Sequence, residues 1–241
     1  FSCVLPLGAI AVQSLLRDRS DLASWTFEKY HYVFAQVPDG LSALTNSLVT
    51  AGIATAAATL LGLCLALGEA RYARRWSVYL SAFWNFGYAV PGTIIALCLI
   101  VAFGGTLANS LWILILAYFI KYAAFSVRVL SPAAASIGIE LEEAAWMCGA
   151  TKMRALLHIL LPLLKPALAA SLLLAFVPMI SELTMSVFLV GAGTETLGTL
   201  IYRFQEYADP GAASVLAVVV TMAIVSVNFI LRKLSRGSFG I

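Results

Sequence analysis

The sequence predicts an all-α, polytopic helical membrane protein. Three observations carry that expectation. Of the 241 residues, 61% are hydrophobic and only 11% are charged. The mean hydropathy is +0.94. The charges also cluster in short segments between apolar runs long enough to cross hydrocarbon. A soluble domain carries about 25% charged residues. In lipid, backbone polar groups must be satisfied internally, so only helices or a closed barrel can span. The apolar runs lack the two-residue alternation of barrel strands, so helices are expected.

The elements follow in chain order. Phe1 to Leu16 is apolar but shorter than the roughly 20 residues a span needs. It has no Met and no positive leader segment. A first span joined partway through is expected, with residues ahead of Phe1 or a longer parent polypeptide. Arg17, Asp18, Arg19 and Asp21 end that run, and a polar, aromatic segment follows from Leu22 to about Leu41. Pro38-Asp39-Gly40 reads as a turn before the next helix. The second span is expected at about Ala43 to Gly68, rich in small residues that allow close helix approach. The third is expected at about Val78 to Phe103, with Pro91-Gly92 near its middle, then a tight turn over Gly104 to Asn109. The fourth is expected at about Leu111 to Leu130 and the fifth at about Pro162 to Val190. A second polar excursion covers Gly191 to Pro210, and the last span is expected at about Gly211 to Leu231. The whole chain, 1–241, reads as one transmembrane domain with a long connection at 131–161.

Lysine and arginine set the orientation. With the C-terminal tail inside, the inner loops hold Arg71, Arg74, Arg75, Lys152, Arg154, Arg232, Lys233 and Arg236. The outer side holds Arg17, Arg19, Lys29 and Arg203, so the positive-inside rule favours this arrangement.

Several functions are disfavoured. The net charge of +3 is spread over loops, without the basic stripe of a nucleic-acid binder. Cys3, Cys64, Cys98 and Cys148 show no metal-ligand spacing, so neither a metal site nor a disulfide framework is expected. No glycine-rich loop ending in Lys and Ser/Thr is present to bind a nucleotide. His31 and His158 belong to no evident catalytic group. The chain is therefore expected to be no enzyme and to need no cofactor.

The connection at 131–161 is long for a link between membrane helices. Glu140 to Met147 is almost entirely good helix formers. Gly149 predicts a break, and Lys152 to Leu157 restarts a helical pattern. Two short helices at an angle are expected at the inner membrane surface, with acidic residues near the first one's start suiting its dipole. Read from spacing alone, this segment is either a docking surface or an interfacial connection that only joins two spans.

Within it stand Glu143, Ala144 and Ala145, then Gly149, then Ile159, Leu161 and Pro162. This spacing resembles the hallmark of permeases of binding-protein-dependent ABC importers. The resemblance implies a type I importer fold and a bacterial inner-membrane location. It also implies that 131–161 is a coupling loop docking on a separate ATP-binding subunit. Glu143 and Gly149 are then the leading docking residues, with Ala144 and Ala145 as packing surface. The partners implied are a dimer of ATP-binding subunits, a second permease half, fused or separate, and a periplasmic solute-binding protein.

Ala89 to Thr93, Leu44 to Leu48, Glu140 to Ala145, Ser181-Glu182-Leu183 and Thr196-Leu197 resemble the ferric-iron branch of these permeases. That branch is close to permeases for thiamine and 2-aminoethylphosphonate, which stay open as alternatives. The chain resembles the second half of a ferric-iron transport permease. Candidate pathway or gate residues are Lys121, Glu182, Pro91, Gly92 and Pro178. Lys121 would line the pathway or pair with a carboxylate. Arg128 lies near enough to the inner end to snorkel. Glu182 would meet a cation or serve structural pairing. Pro91-Gly92 and Pro178 are expected kinks, as hinges or as plain packing. Asn46 and Asn85 are expected to bond between helices. A secondary transporter or a structural membrane subunit are the rivals of different class.

Overall fold

The computed structural model describes residues 4–17, 24–72, 75–207 and 209–236. Cys3, Asp18, Arg19, Asp21, Leu22 and Arg74 lie outside the described residues. The architecture is all-α. In order, the helices are α1 (Val4–Leu15), α2 (Glu28–His31), α3 (Gly40–Tyr72), α4 (Arg75–Ala89), α5 (Gly92–Leu107) and α6 (Leu111–Ala135). Then come α7 (Glu140–Met147), α8 (Lys152–Ala155), α9 (Leu161–Ile180), α10 (Ser186–Leu189), α11 (Leu197–Tyr207) and α12 (Pro210–Arg236). A wide π-helical turn follows α2, over Tyr32–Gln36, and another follows α8, over Leu156–Leu160.

Among the described residues, four helical stretches have the length and hydropathy to span a bilayer. They are Gly40–Arg71, Leu111–Ala135, Lys152–Ile180 and Pro210–Lys233. Tyr79–Ala89 and Gly92–Leu107 reach that length and hydropathy only when taken together as a bent pair.

The structure corrects several expected boundaries. The third span is not one helix with a kink: the chain turns by 105° between Ala89 and Gly92. Pro91 has no N–H and pushes Val90 out of helical conformation, so the ladder stops there. The turn expected over Gly104 to Asn109 is shorter, because α5 runs on to Leu107. The fourth span continues to Ala135, carrying Pro132 in its last turns. The fifth ends at Ile180, ten residues before the expected Val190. The second of the two short helices expected in 131–161 is no separate element. α8 and the π turn lead straight into α9 as one 29-residue stretch. The turn at Pro38-Asp39 stands as expected, with α3 starting at Gly40.

The chain divides into two compact units. The first comprises Phe1–Ala51, Gly92–Ala117 and Ile180–Ser226. It contains the segments expected to face outward, 17–41, 104–110 and 191–210. Its start of α3 is tied to the 191–197 segment by polar contacts. Asn46 donates to the carbonyls of Gly193 and Glu195 at 3.0 and 2.9 Å. Ser47 Oγ accepts from Leu197 N–H at 2.7 Å. Asn46 therefore bonds loop backbone rather than a neighbouring helix. Arg203 bridges Asp39 and Glu195 at 3.1 and 3.0 Å.

The second unit comprises Gly52–Pro91, Tyr118–Met179 and Val227–Ile241. It contains the segments expected to face inward, 69–77, 131–161 and 232–241. Its buried cluster is Ala66, Leu130, Ala134 and Leu164, with Leu63, Leu67, Ile137 and Leu168 packed around it. Small residues let α3 and α6 meet closely. A Cβ on Gly62 would lie 2.8 Å from both the carbonyl carbon and the Cβ of Ser126. Asn85 accepts from Arg128 Nε at 2.8 Å, which joins α4 to α6 as a helix-to-helix bond.

This close approach gives a test. Gly62→Ala is expected to lower stability by about 1–3 kcal/mol, because backbone must shift to admit the methyl group. Gly52→Ala, with open space around the new Cβ, is the control. The thermal unfolding midpoint in detergent should fall for the first and hold for the second.

Candidate coupling site

The site is built around α7 and the turn that ends it. Glu140, Glu142 and Glu143 fill the first turn of α7, where carboxylates suit the positive end of the helix dipole. The helix closes with two reverse hydrogen bonds. Ala150 N–H bonds Ala145 O, and Gly149 N–H bonds Trp146 O, each at 2.9 Å. Gly149 has φ +81°. These three features make a Schellman motif with glycine at the left-handed position. The break expected at Gly149 is therefore observed, and its φ is one that glycine adopts without strain. Two residues on, the Thr151 hydroxyl caps the next helix by accepting from Arg154 N–H at 3.4 Å.

The lead-in to the fifth span has its own cause. Pro162 cannot donate to the His158 carbonyl and its ring crowds that position. The helix widens just before it, and Leu161 N–H bonds Leu156 O instead. Ile159, Leu161 and Pro162 are half-buried at this junction. They shape the passage from α8 into α9 and lie apart from the exposed surface of α7.

α7 has two different faces. Glu143, Ala144, Cys148 and Gly149 are exposed, Ala145 is half-buried, and Met147 is 89% exposed. The opposite face carries Glu142, which is buried and ion-paired with Arg71 near the end of α3. The two side chains are only 10% and 11% exposed. Arg71 also donates from Nη1 to the Ile137 carbonyl at 3.0 Å. One guanidinium thus holds both the carboxylate of α7 and the backbone leading into it. Beside the pair lies a cavity of about 310 Å³, lined by Leu67, Ile139, Trp146, Met153 and Leu156 among others.

The remaining expected site residues do not join this group. Pro91 and Gly92 form the break between α4 and α5, Pro91 exposed and Gly92 buried. Pro178 sits in the last turn of α9. Lys121 is half-buried midway along α6. Glu182 was expected inside the fifth span, but it lies beyond the end of α9, in the first unit, and is buried. Its carboxylate accepts from Met185 N–H at 3.0 Å and from the Thr184 hydroxyl. Its carbonyl accepts from Ser186 Oγ at 2.9 Å and abuts Gly198. These contacts organise the turn into α10, which is the structural reading of Glu182.

The Arg71–Glu142 pair escaped the sequence reading. In the sequence Arg71 reads as an orientation signal and Glu142 as one of three acids. The spacing held the clue: Ile139, Glu142 and Trp146 stand at i, i+3 and i+7, one face of a helix. Glu143 and Met147 each lie 100° further round, at the edge of that face.

Removing one member of a buried pair strands the other, at about 3–5 kcal/mol. Glu142→Ala is therefore expected to speed hydrogen exchange of the α7 amides by at least about 100-fold. Glu143→Ala should leave their exchange nearly unchanged. Replacing both partners together, Arg71→Met with Glu142→Leu, should restore most of the protection. Exchange mass spectrometry of the 140–147 segment checks all three.

Comparison with known proteins matches this architecture. Residues 58–237 match the family described as binding-protein-dependent transport system inner membrane component. The permease protein provisionally assigned to a 2-aminoethylphosphonate transport system of Salmonella paratyphi A is 30% identical over 224 residues, covering 90% of this chain and 84% of that protein. The sulfate transport system permease protein of Escherichia coli K12 is 26% identical over 257 residues, covering 98% and 90%. An Fe(3+)-transport system permease protein of Haemophilus influenzae is 24% identical over 196 residues, covering 80% of this chain and 39% of that protein. The solved bacterial ABC transporter that imports the acidic polysaccharide alginate superposes with a TM-score of 0.75 at 19% identity, covering 98% of this chain and 91% of that one. The fold is that of a type I importer transmembrane domain, and the chain belongs to the binding-protein-dependent ABC importer permeases.

Proposed function

We propose that this permease forms one half of a translocation pathway in the bacterial inner membrane and is driven through α7 by a separate ATP-binding subunit. The observation that carries the reading is the two-faced α7. Its inner face is fastened by Arg71, and its outer face presents Glu143, Ala144 and Met147 uncovered. A helix held on one side and bare on the other suits a docking element. Glu143 supplies charge to basic or backbone groups of the ATP-binding subunit. Gly149 keeps the following turn tight enough for the cleft that receives it.

The cycle runs from the outside inward. A loaded periplasmic binding protein docks on the outer segments near 22–41 and 191–210. ATP binding draws two ATP-binding subunits together, and α7 moves with them. The spans of this chain and of a second permease half switch from inward-open to outward-open and receive the solute. Hydrolysis resets them. The two states are biased from a distant site, which is the general form of such coupling.

The cargo is a small solute handed over by the binding protein. The motif resemblance favoured ferric iron, with thiamine and 2-aminoethylphosphonate as alternatives. The relatives' names divide among 2-aminoethylphosphonate, sulfate and ferric iron. Ferric iron therefore keeps no preference from kinship.

The test is at the outer face of α7. Glu143→Ala and Gly149→Val are expected to weaken capture of the ATP-binding subunit at least about tenfold and to reduce ATP-driven uptake in parallel. For Gly149→Val the left-handed backbone adds about 1–2 kcal/mol of strain. Pull-down of the ATP-binding subunit and solute uptake in vesicles are the two readouts. A secondary transporter would go on accumulating solute in both variants.

A further inference from the structure

The spans of this chain hold an unbalanced set of charges. Over 40–71, 79–89, 92–107, 111–135, 152–180 and 210–233, Glu69 is the sole carboxylate. It stands near the inner end of α3, two residues before Arg71. Away from the span ends the cations are Lys121, Arg128 and Lys165. Lys121 lies deep: about 15 Å along the axis from Leu111 and about 21 Å from Ala135. That depth puts it beyond easy snorkelling to either surface. Arg128 is seven residues further on, about 10 Å along the axis, on the same face.

α6 makes that face stand out. It is the most buried of the candidate spans, with 61% of its most apolar window inside the protein. The residues left uncovered or half-covered include Lys121, Phe125 and Arg128. The two cations therefore occupy the open stripe of the inner half of α6. Neither forms an ion pair among the described residues. Arg128 is aimed by Asn85 at 2.8 Å and by the Tyr88 ring, 5.5 Å from guanidinium to centroid. Tyr88 in turn packs on Phe125 at 5.0 Å, two residues before the break at Val90-Pro91. Arg128 is thus positioned without being neutralised.

A cation on lipid-facing helix surface at mid-depth is strongly unfavourable. A stripe carrying two of them is expected to face water or a partner half, not hydrocarbon. Such a stripe attracts negative charge and repels a metal cation. Among the described residues, no three His, Cys, Asp or Glu side chains gather to hold a metal ion.

We propose that Lys121 and Arg128 form a two-step cationic station in the translocation pathway, and that the cargo is an oxyanion, a phosphonate, phosphate or sulfate, rather than a metal cation. The inference rests on the permease reading above. Lys121 holds the anion at mid-membrane, and Arg128 draws it toward the inner face through charge-assisted hydrogen bonds. An inner-leaflet phospholipid headgroup shares this chemistry at Arg128, but lies too far away to serve Lys121.

The experiment uses the complete complex, with its ATP-binding subunits, second half and binding protein, in sealed vesicles. Labelled sulfate, phosphate, 2-aminoethylphosphonate and ferric ion are the probes. The wild type is expected to accumulate at least one of the anions and no ferric ion. Lys121→Gln and Arg128→Gln should each lower the maximal uptake rate at least about tenfold, while Lys121→Arg retains most of it. ATP hydrolysis by the assembled complex reports that each variant is folded and docked. The losses should be equal in vesicles of zwitterionic and of anionic lipid. Uptake of none of the three anions, uptake of ferric ion, undiminished anion uptake in the glutamine variants, or a loss seen only with anionic lipid would each overturn the proposal. The permease reading falls separately, if the wild-type chain fails to capture its ATP-binding subunit.

Discussion

The buried ion pair between Arg71 and Glu142 is the constraint on which the inner part of this molecule depends. α7 has only eight residues, too few to be stable by its own hydrogen bonds. It needs a fixed partner, and α3 provides one through Arg71. An apolar contact alone would tolerate sliding. A guanidinium that holds a carboxylate and the Ile137 carbonyl together sets both register and distance. Burial makes the pair a weak source of net stability, because desolvation offsets much of the attraction. What it supplies is a single orientation, since every displaced arrangement leaves a charge stranded.

That orientation gives motion at α7 two routes into the spans. One is covalent, through the Schellman turn at Gly149, the Thr151 cap, the wide turn before Pro162 and then α9. The other is the ion pair, which leads into α3. Each covalent joint has a specific local cause, so the path contains no slack loop. The connection from Met147 to Lys152 is only four residues long and is hydrogen-bonded at both ends. The cavity beside the pair leaves room for side chains such as Trp146 and Met153 to repack when α7 is pressed.

Much of this was legible in the residues. The helical membrane class follows from apolar run length, and the helix, glycine break and restarted helix of 140–157 follow from residue spacing. Gly149 was expected to need a special conformation and has one. The misreadings share a physical origin: hydropathy reports what a segment would tolerate around it, not the direction in which the chain runs. Val78 to Phe103 is largely apolar on both sides of Pro91-Gly92, so the proline marks a kink but nothing in the composition marks how sharp it is. Ser181 to Val190 is still mostly apolar after α9 has ended, with Glu182 its one charge, so Glu182 reads as part of a span. In fact it serves backbone donors of a turn. Arg71 and Glu142 are 71 positions apart, and a pairing at that separation leaves no local trace. Only the face shared by Ile139, Glu142 and Trp146 hinted that this acid points inward.

The central claim is mechanical, so the direct measurement is the ratio of solute imported to ATP hydrolysed in reconstituted vesicles. It should be compared for Arg71→Glu, Glu142→Arg and the exchanged pair. If the pair is the strut, each single reversal lets ATP hydrolysis continue while import per ATP collapses, and the exchange recovers a substantial part of it. Single reversals that import as much per ATP as the unaltered protein would show that force reaches the spans by another route.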